Sequence, residues 1–251
     1  MKITTFAKQV ALVCGVSAGL MAQGRDGAPP TGKAAAPVDY TGYWVSQIVD
    51  EWRFRVVPQK GDVPYLPINA EARKVANAWD PAKDEAEGNQ CRAYGAVGVM
   101  QRPGRLHITW ADDNTLKIET DAGTQTRMLH FGPGAKPAGE AGWQGYSVAS
   151  WDIPRVGRGA AAGPMRGANT LKVVTTNMKP GYIRKNGVPY SANAVLTEYF
   201  NLVNGADGQP YIAVTAFVED PTYLNGAFIR TYTFKKENDG AKWDPTPCWN
   251  R

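Results

Sequence analysis

Short apolar segments separated by turn residues make up most of this chain, and this pattern limits its fold more than any other feature. The segments predicted as strands are 43–50, 52–57, 97–101, 106–110, 115–120, 124–131, 143–153, 170–176, 195–203, 210–219 and 227–236. Turn sequences such as Asp112-Asp113-Asn114 and Asp121-Ala122-Gly123 connect them at a spacing of roughly ten residues, which is typical of antiparallel β folds. The pattern predicts an all-β protein, either a sandwich or a barrel.

One segment has the pattern of a helix. Residues 69–79 are rich in alanine and charged side chains, and Asn69 has the side chain of an N-cap. Asp80-Pro81 follows and is predicted to end the helix.

The first 22 residues have the features of an export signal. Lys2 and Lys8 supply positive charge, and residues 10–20 are apolar or small, a length that suits a signal-peptide core and is too short to span a membrane. A buried N-terminal helix is the alternative, and Cys14 leaves a lipoprotein as a minor option. Residues 23–38 are predicted to be a disordered linker before a single domain over 39–251. The predicted location is periplasmic or secreted.

Export decides how the charge and the cysteines are interpreted. The chain has 28 basic and 23 acidic residues, and loss of Lys2 and Lys8 with the signal leaves 26 against 23, a net charge of +3. This mild excess without a basic stripe favours a solvated surface over nucleic-acid binding. Only Cys91 and Cys248 remain after cleavage, so we predict a disulfide between them, the alternative being two free thiols.

Several segments resemble a family of secreted bacterial proteins that has no assigned activity. They are Gly88–Arg92, Pro103–Arg105, Trp143–Val148, Pro189–Ser191 and Glu219–Pro221, and the resemblance extends from Asp39 to Cys248. Gly42-Tyr43-Trp44 is also similar to the Gly-x-Trp sequence that opens lipocalin barrels. The resemblance implies an antiparallel lipocalin-like (calycin-type) barrel of about ten strands with one short helix, whose interior can hold one small ligand.

Glu198 lies in the middle of an otherwise apolar strand face, which it shares with Leu196 and Phe200. An unpaired buried carboxylate is strongly unfavourable, so a buried Glu198 needs a partner, and Arg127 or Arg230 are the best candidates. Both arginines alternate with apolar residues in their own predicted strands. The three side chains form either an ion pair tying adjacent strands or a ligand site, unless these faces point to solvent.

Two further segments contain candidate ligand-binding residues. In segment 143–153, Trp143 shares a face with Ser147 and other small residues, which leaves room for another strand or for a ligand. Ser147 is outside any Gly-x-Ser-x-Gly sequence, so a serine hydrolase is not predicted. The loop 178–191 carries Tyr182 among other stacking and hydrogen-bonding side chains, which suit either a ligand contact or an exposed turn.

These features favour a secreted or periplasmic protein that binds a small apolar or aromatic molecule. The alternative is a cofactor-free isomerase, hydratase or cyclase with Glu198 as general acid or base, and a third reading is an envelope protein with a packed barrel. A general base near neutral pH needs a raised proton affinity, which an arginine partner opposes, so binding ranks first. His107 and His130 lie in separate strands without a ligand spacing, so neither a metal nor a cofactor is predicted.

Overall fold

The computed structural model describes residues 29–49, 51–56, 58–132, 135, 137, 139–157, 163–165 and 168–249. The strands are β1 (Gly42–Gln47), β2 (Arg105–Asp112), β3 (Thr115–Thr120), β4 (Gln125–Phe131), β5 (Tyr146–Asp152), β6 (Arg155–Val156), β7 (Gly163–Pro164), β8 (Thr170–Thr176), β9 (Gly181–Arg184), β10 (Val188–Tyr190), β11 (Val195–Asn204), β12 (Pro210–Glu219) and β13 (Phe228–Glu237). The helices are α1 (Trp52–Val56), α2 (Ala70–Ala78), α3 (Pro81–Ala86), a 3₁₀ helix (Gln90–Tyr94) and α4 (Ala96–Val99). The predicted signal peptide lies outside the described residues.

Nine strands form a closed barrel in the order β1-β13-β12-β11-β8-β5-β4-β3-β2, and closure comes from β1, which pairs with both β13 and β2. This confirms the predicted all-β barrel. One pair differs from the antiparallel prediction, because β4 and β5 are parallel, with Leu129 opposite Ser147. β5 therefore begins at the same end of the barrel as β4.

One end of the barrel, here called the covered end, carries most of the additional structure. It is the end at which β1 ends and β2 begins, and strand direction places both segment 48–104 and segment 177–194 there. These segments contain all the helices given above and the β9–β10 hairpin. Ala76 of α2 and Ile183 of β9 belong to the same buried hydrophobic cluster as Phe200 of the barrel. The covered end and the barrel therefore share one core.

Two segments predicted as strands are helical instead. Segment 52–57 contains α1, and segment 97–101 lies in α4 and the turn after it. An apolar run of about five residues does not distinguish a strand from a buried helical turn, and neither segment has a neighbouring strand to pair with. The helical turn of α1 also buries Arg55, which donates to the backbone oxygens of Gln47 and Gln101 at 3.3 and 3.2 Å.

Two further predictions are corrected. The sequence predicted a single helix, and it left an exposed turn as one interpretation of loop 178–191. Most of that loop forms β9 and β10, and the described chain has four short α-helices. Ile183, Val188 and Tyr190 are completely buried. The burial comes from packing against α2 and the 3₁₀ helix, contacts between segments distant in sequence that local turn residues do not encode.

The described part of the predicted linker contacts the barrel. The backbone amide of Gly32 donates to Asn114 Oδ1 at 2.8 Å, and its carbonyl accepts from Trp151 Nε1 at 2.7 Å. Lys33 donates through its backbone amide to the carbonyl of Asp113 at 2.9 Å. Gly32 and Lys33 thus contact the barrel through their backbone groups.

The predicted disulfide is confirmed, since Cys91 and Cys248 are bonded across a sequence separation of 157 residues. It attaches the C-terminal segment to the 3₁₀ helix at the covered end. No helix in the described part of the chain is long and apolar enough to cross a bilayer.

Replacement of Asn69 by alanine is expected to lower the free energy of unfolding by about 1 kcal/mol. Asn69 Oδ1 accepts from the amide of Ala72 at 3.0 Å, which caps α2, and Nδ2 donates to the carbonyl of Thr222 at 2.9 Å. Urea denaturation measures the change. Asn77→Ala, at an exposed position of the same helix, is the control and is expected to have no destabilising effect. Equal losses in both variants would contradict the capping role.

Candidate functional site

Arg127 and Glu198 form an ion pair inside the barrel, near the covered end. Arg127 Nη2 lies 2.5 Å from Glu198 Oε2, and Nη1 lies 3.1 Å from Oε1, so the guanidinium holds both carboxylate oxygens. The two side chains are 0% and 1% exposed. Their strands, β4 and β11, are separated in the sheet by β5 and β8, so the pair crosses the barrel interior. This corrects the expectation of an ion pair between adjacent strands.

The intervening strands extend this pair into a polar layer. Arg127 Nη2 also donates to Thr175 Oγ1 of β8 at 3.3 Å, and Thr175 shares a hydrogen bond of 2.8 Å with Ser147 of β5. Ser147 and Thr175 face each other in the β5–β8 register, and both are buried. Ser147 of the predicted face of small residues thus contacts a side chain of the neighbouring strand.

The third charged candidate, Arg230, has a different partner. Its Nε lies 2.7 Å from Glu51 Oε2, and its guanidinium carbon lies 4.8 Å from the centre of the Phe228 ring. Glu51 immediately precedes α1, so its ion pair with Arg230 connects this helix to the beginning of strand β13. Arg230 and Glu198 are opposite the same residue of β12, Ala216, yet among the described residues Arg127 is the arginine that pairs with the Glu198 carboxylate.

The ion pair borders none of four cavities that the described residues form. Four cavities of ≈ 240 to ≈ 690 Å³ lie on the protein, and Arg127, Ser147 and Glu198 line none of these four. A general acid or base has to reach a bound substrate. The geometry therefore supports a structural ion pair at Glu198 over an acid–base role.

A cleft at the covered end has the character of a small-molecule site, and we call it the tyrosine cleft. It lies between α2 and the β9–β10 hairpin, with a volume of ≈ 240 Å³. Its lining residues are Val75, Arg92, Pro180, Gly181, Tyr182, Pro189, Tyr190, Ser191 and Tyr223. Three tyrosine rings and two prolines make the wall largely apolar, while Arg92 and Ser191 add polar groups.

A hydrogen-bond network fixes Tyr182 and Arg92 in the wall of the tyrosine cleft. Asp84 accepts from the Tyr182 hydroxyl at 2.8 Å, from Arg92 Nη1 at 2.8 Å and from Trp79 Nε1 at 3.0 Å. Burial raises the pKa of Tyr182 to about 12, so this phenol stays protonated at neutral pH. Because each group is held by several contacts, the wall is formed before any ligand arrives.

Tyr190 lies at the base of the tyrosine cleft, and two glycines make room for its ring. A Cβ atom at Gly95 or Gly181 would come within 2.4 or 2.6 Å of the Tyr190 hydroxyl oxygen, too close for any other residue without movement. This hydroxyl is buried and has no hydrogen-bond partner among the described residues. Burial raises its pKa, so it is a neutral donor directed into protein.

The structure separates the six predicted ligand-binding residues into four locations. Arg127, Ser147 and Glu198 meet inside the barrel, Arg230 holds α1, and only Tyr182 lines the tyrosine cleft. Trp143 precedes β5 and lies against Lys179, whose Nζ is 5.8 Å from the ring centre. Tyr190 and Ser191 are in the sequence segment that indicated this site, but Val75 and Tyr223 reach the cleft through tertiary packing alone.

The two histidines lie apart on the outer barrel surface. His107 of β2 contacts Glu119 at 3.1 Å and stacks on Tyr43, whereas His130 of β4 stacks on Tyr146. No cluster of three or more His, Cys, Asp or Glu side chains suited to a metal ion is found within the described ranges.

Comparisons with protein-family models, with curated proteins and with solved structures gave no match to this chain. The resemblance to a family of secreted bacterial proteins therefore stays a prediction. The fold and the cleft define the class of protein. It is a closed nine-stranded β-barrel with one disulfide bond and an aromatic cleft at one end.

Proposed function

We propose that this is a secreted or periplasmic binding protein for a small aromatic molecule, and that the ligand occupies the tyrosine cleft. The observation that carries the proposal is the convergence of Tyr182, Tyr190 and Tyr223 with two prolines around one concave site. Ligand sites in proteins are concave, mostly apolar and supplied with a few placed polar groups, as this cleft is.

The dimensions of the cleft limit the size of the ligand. Its volume of ≈ 240 Å³ is below the range of about 300–1,000 Å³ that is usual for drug-sized ligands, so a molecule with a single ring is the expected occupant. Tyrosine rings and proline faces favour stacking or edge contacts with an aromatic ring, a gain of about 0.5–1.5 kcal/mol beyond area burial. Arg92 is already neutralised by Asp84, which favours a neutral ligand.

The disulfide supports the predicted location. Disulfides persist in oxidising compartments and are rare in the reducing cytosol. The Cys91–Cys248 bond is therefore consistent with a protein that works outside the cytoplasm.

Saturation-transfer NMR with p-cresol tests the proposal, since this probe combines one ring with one hydroxyl group. We expect transfer from the protein to the ring protons of p-cresol and a weaker response for cyclohexanol, which lacks an aromatic face. Val75→Trp places a large ring in the cleft without removing any member of the Asp84 network, and we expect it to abolish the p-cresol response.

Val203→Trp is the matched control, because it adds the same ring at an exposed position on β11. Circular dichroism and thermal melting establish that both variants are folded. The proposal fails if p-cresol gives no response with the wild-type protein, or if Val75→Trp and Val203→Trp respond equally. Native mass spectrometry of the protein isolated from its own cells then identifies the natural ligand.

A further inference from the structure

Arg102 is one of the buried polar groups of the described chain that lack the partners their chemistry requires. Arg102 follows α4 at the covered end and is 5% exposed. Its Nε and Nη2 atoms are buried without a hydrogen-bond partner among the described residues. A guanidinium carries five N–H donors and stays charged at physiological pH, so leaving it unpaired in the interior is strongly unfavourable.

Two other buried arginines act on Arg102 through their charge. Arg55 and Arg184 are also almost completely buried, and both interact with Arg102 through their charge. The Arg55 guanidinium carbon lies 5.4 Å from the ring centre of Tyr232, and that of Arg184 lies 4.3 Å from the ring centre of Phe54. We call Arg55, Arg102 and Arg184 the arginine cluster.

Three carboxylates act through their charge on Arg184 or on Tyr232, and each of them pairs with another arginine. Glu51 pairs with Arg230 at 2.7 Å and Glu198 pairs with Arg127 at 2.5 Å. Asp62 pairs with Arg53 through both of its carboxylate oxygens. Arg184 donates to the carbonyls of Asp62 and Pro64, which orient it without neutralising its charge, and its Nη2 is also unpartnered within the described ranges.

Loss of a proton does not relieve the charge of Arg102. Burial, with contributions from Arg55 and Arg184, lowers the pKa of Arg102 to about 10, so at pH 7 the group remains a cation. Burial together with Arg102 likewise lowers the pKa of Lys185 to about 8. Both shifts reflect a site in which an added negative charge would be stabilised.

We propose that the arginine cluster binds a carboxylate group supplied from outside the chain, and that Arg102 holds it. The two unpartnered donors of Arg102, Nε and Nη2, lie on one edge of the guanidinium, and this edge matches the two oxygens of a carboxylate. Arg53 uses the same pair of atoms to hold Asp62 in this protein, at 3.0 and 2.5 Å. Because Arg102 is so buried, the anion is compact, of the size of formate or acetate. This site is separate from the tyrosine cleft and does not depend on the function proposed for it.

The test measures the melting temperature of the mature protein as sodium formate replaces sodium chloride at constant ionic strength. We expect a rise that grows with the logarithm of the formate concentration above Kd and reaches about 4 °C at tenfold excess over Kd. Formamide, which has the shape of formate without its charge, is expected to have no such effect. Arg102→Met is expected to lose the formate response and to melt no lower than the wild type in chloride, because it removes an uncompensated charge.

Arg73→Met removes a positive charge from the exposed surface of α2 and is expected to keep the full response. If Arg102→Met does not fold, ¹³C-formate line broadening by the wild-type protein, reversed by acetate, measures the same binding directly. Identical melting in formate and chloride overturns the proposal, as does a formate response that Arg102→Met retains, since that response would be a general salt effect.

Discussion

Replacement of Glu198 by glutamine is expected to lower the free energy of unfolding by about 3–5 kcal/mol, the largest single-residue effect we anticipate in this protein. The substitution leaves the Arg127 guanidinium charged, buried and without a counter-ion, although the amide keeps the shape of the carboxylate. Urea denaturation monitored by tryptophan fluorescence measures the loss.

The double variant Arg127→Met with Glu198→Leu separates pairing from packing. Both charges are then absent, and apolar side chains occupy the space, so we expect the double variant to be more stable than either single variant. Glu219→Gln, at the exposed end of β12, is the control for loss of a carboxylate and is expected to change stability by less than about 0.5 kcal/mol. Additive losses in the double variant would show that Arg127 and Glu198 do not stabilise the fold as a pair.

Glu198 shows which features of a buried site the alternation of side chains along a strand can predict. Alternation placed Leu196, Glu198 and Phe200 on one face, and all three are buried. The need of a buried carboxylate for a cation then limited its partner to a few arginines. The choice between Arg127 and Arg230 depends on the order of strands around the barrel, which brings β4 opposite β11. Strand order is set by long-range pairing and is not encoded in the alternation of either strand.

The two segments that were wrongly predicted as strands show where a local sequence pattern fails to predict secondary structure. Segments 52–57 and 97–101 are short apolar runs, and the same pattern suits a strand or a buried turn of helix. What distinguishes them in the fold is position, since both lie at the covered end, where the first contains Arg55 and the second directly precedes Arg102. The sequence shows arginines scattered over these segments, but it does not show that they lie close together at the covered end.

The tyrosine cleft was predicted in part from the sequence. Segment 178–191 was indicated by its stacking and hydrogen-bonding residues, and Tyr182 and Tyr190 do line the cleft. The opposite wall comes from Val75 of α2 and from Tyr223, which are more than a hundred residues apart in sequence. A local pattern can therefore identify one wall of such a site, whereas the space between two walls is a property of tertiary packing.

Replacement of both Cys91 and Cys248 by serine is expected to lower the free energy of unfolding by about 4 kcal/mol. The bond closes a loop across 157 residues, and the loss of chain entropy in the unfolded state grows with the length of the closed loop. The unfolded chain also becomes less compact without the cross-link, so the m value in urea is expected to increase. Denaturation of the wild-type protein with and without a phosphine reductant, compared with the double serine variant, measures both quantities.

The same substitution shows whether the disulfide also positions the tyrosine cleft. Cys91 is adjacent to Arg92 in the 3₁₀ helix, while other contacts hold the C-terminal segment: Thr246 donates to the carbonyl of Asp121 at 2.9 Å, and Trp249 donates to the Tyr94 hydroxyl at 3.3 Å. Because these contacts and the Asp84 network remain, we expect the folded double serine variant to bind p-cresol as the wild type does below its melting transition. Loss of p-cresol binding in the folded variant would instead assign the disulfide a direct role in holding Arg92 against the cleft. A loss of unfolding free energy below about 1 kcal/mol, together with an unchanged m value, would contradict the loop-closure argument.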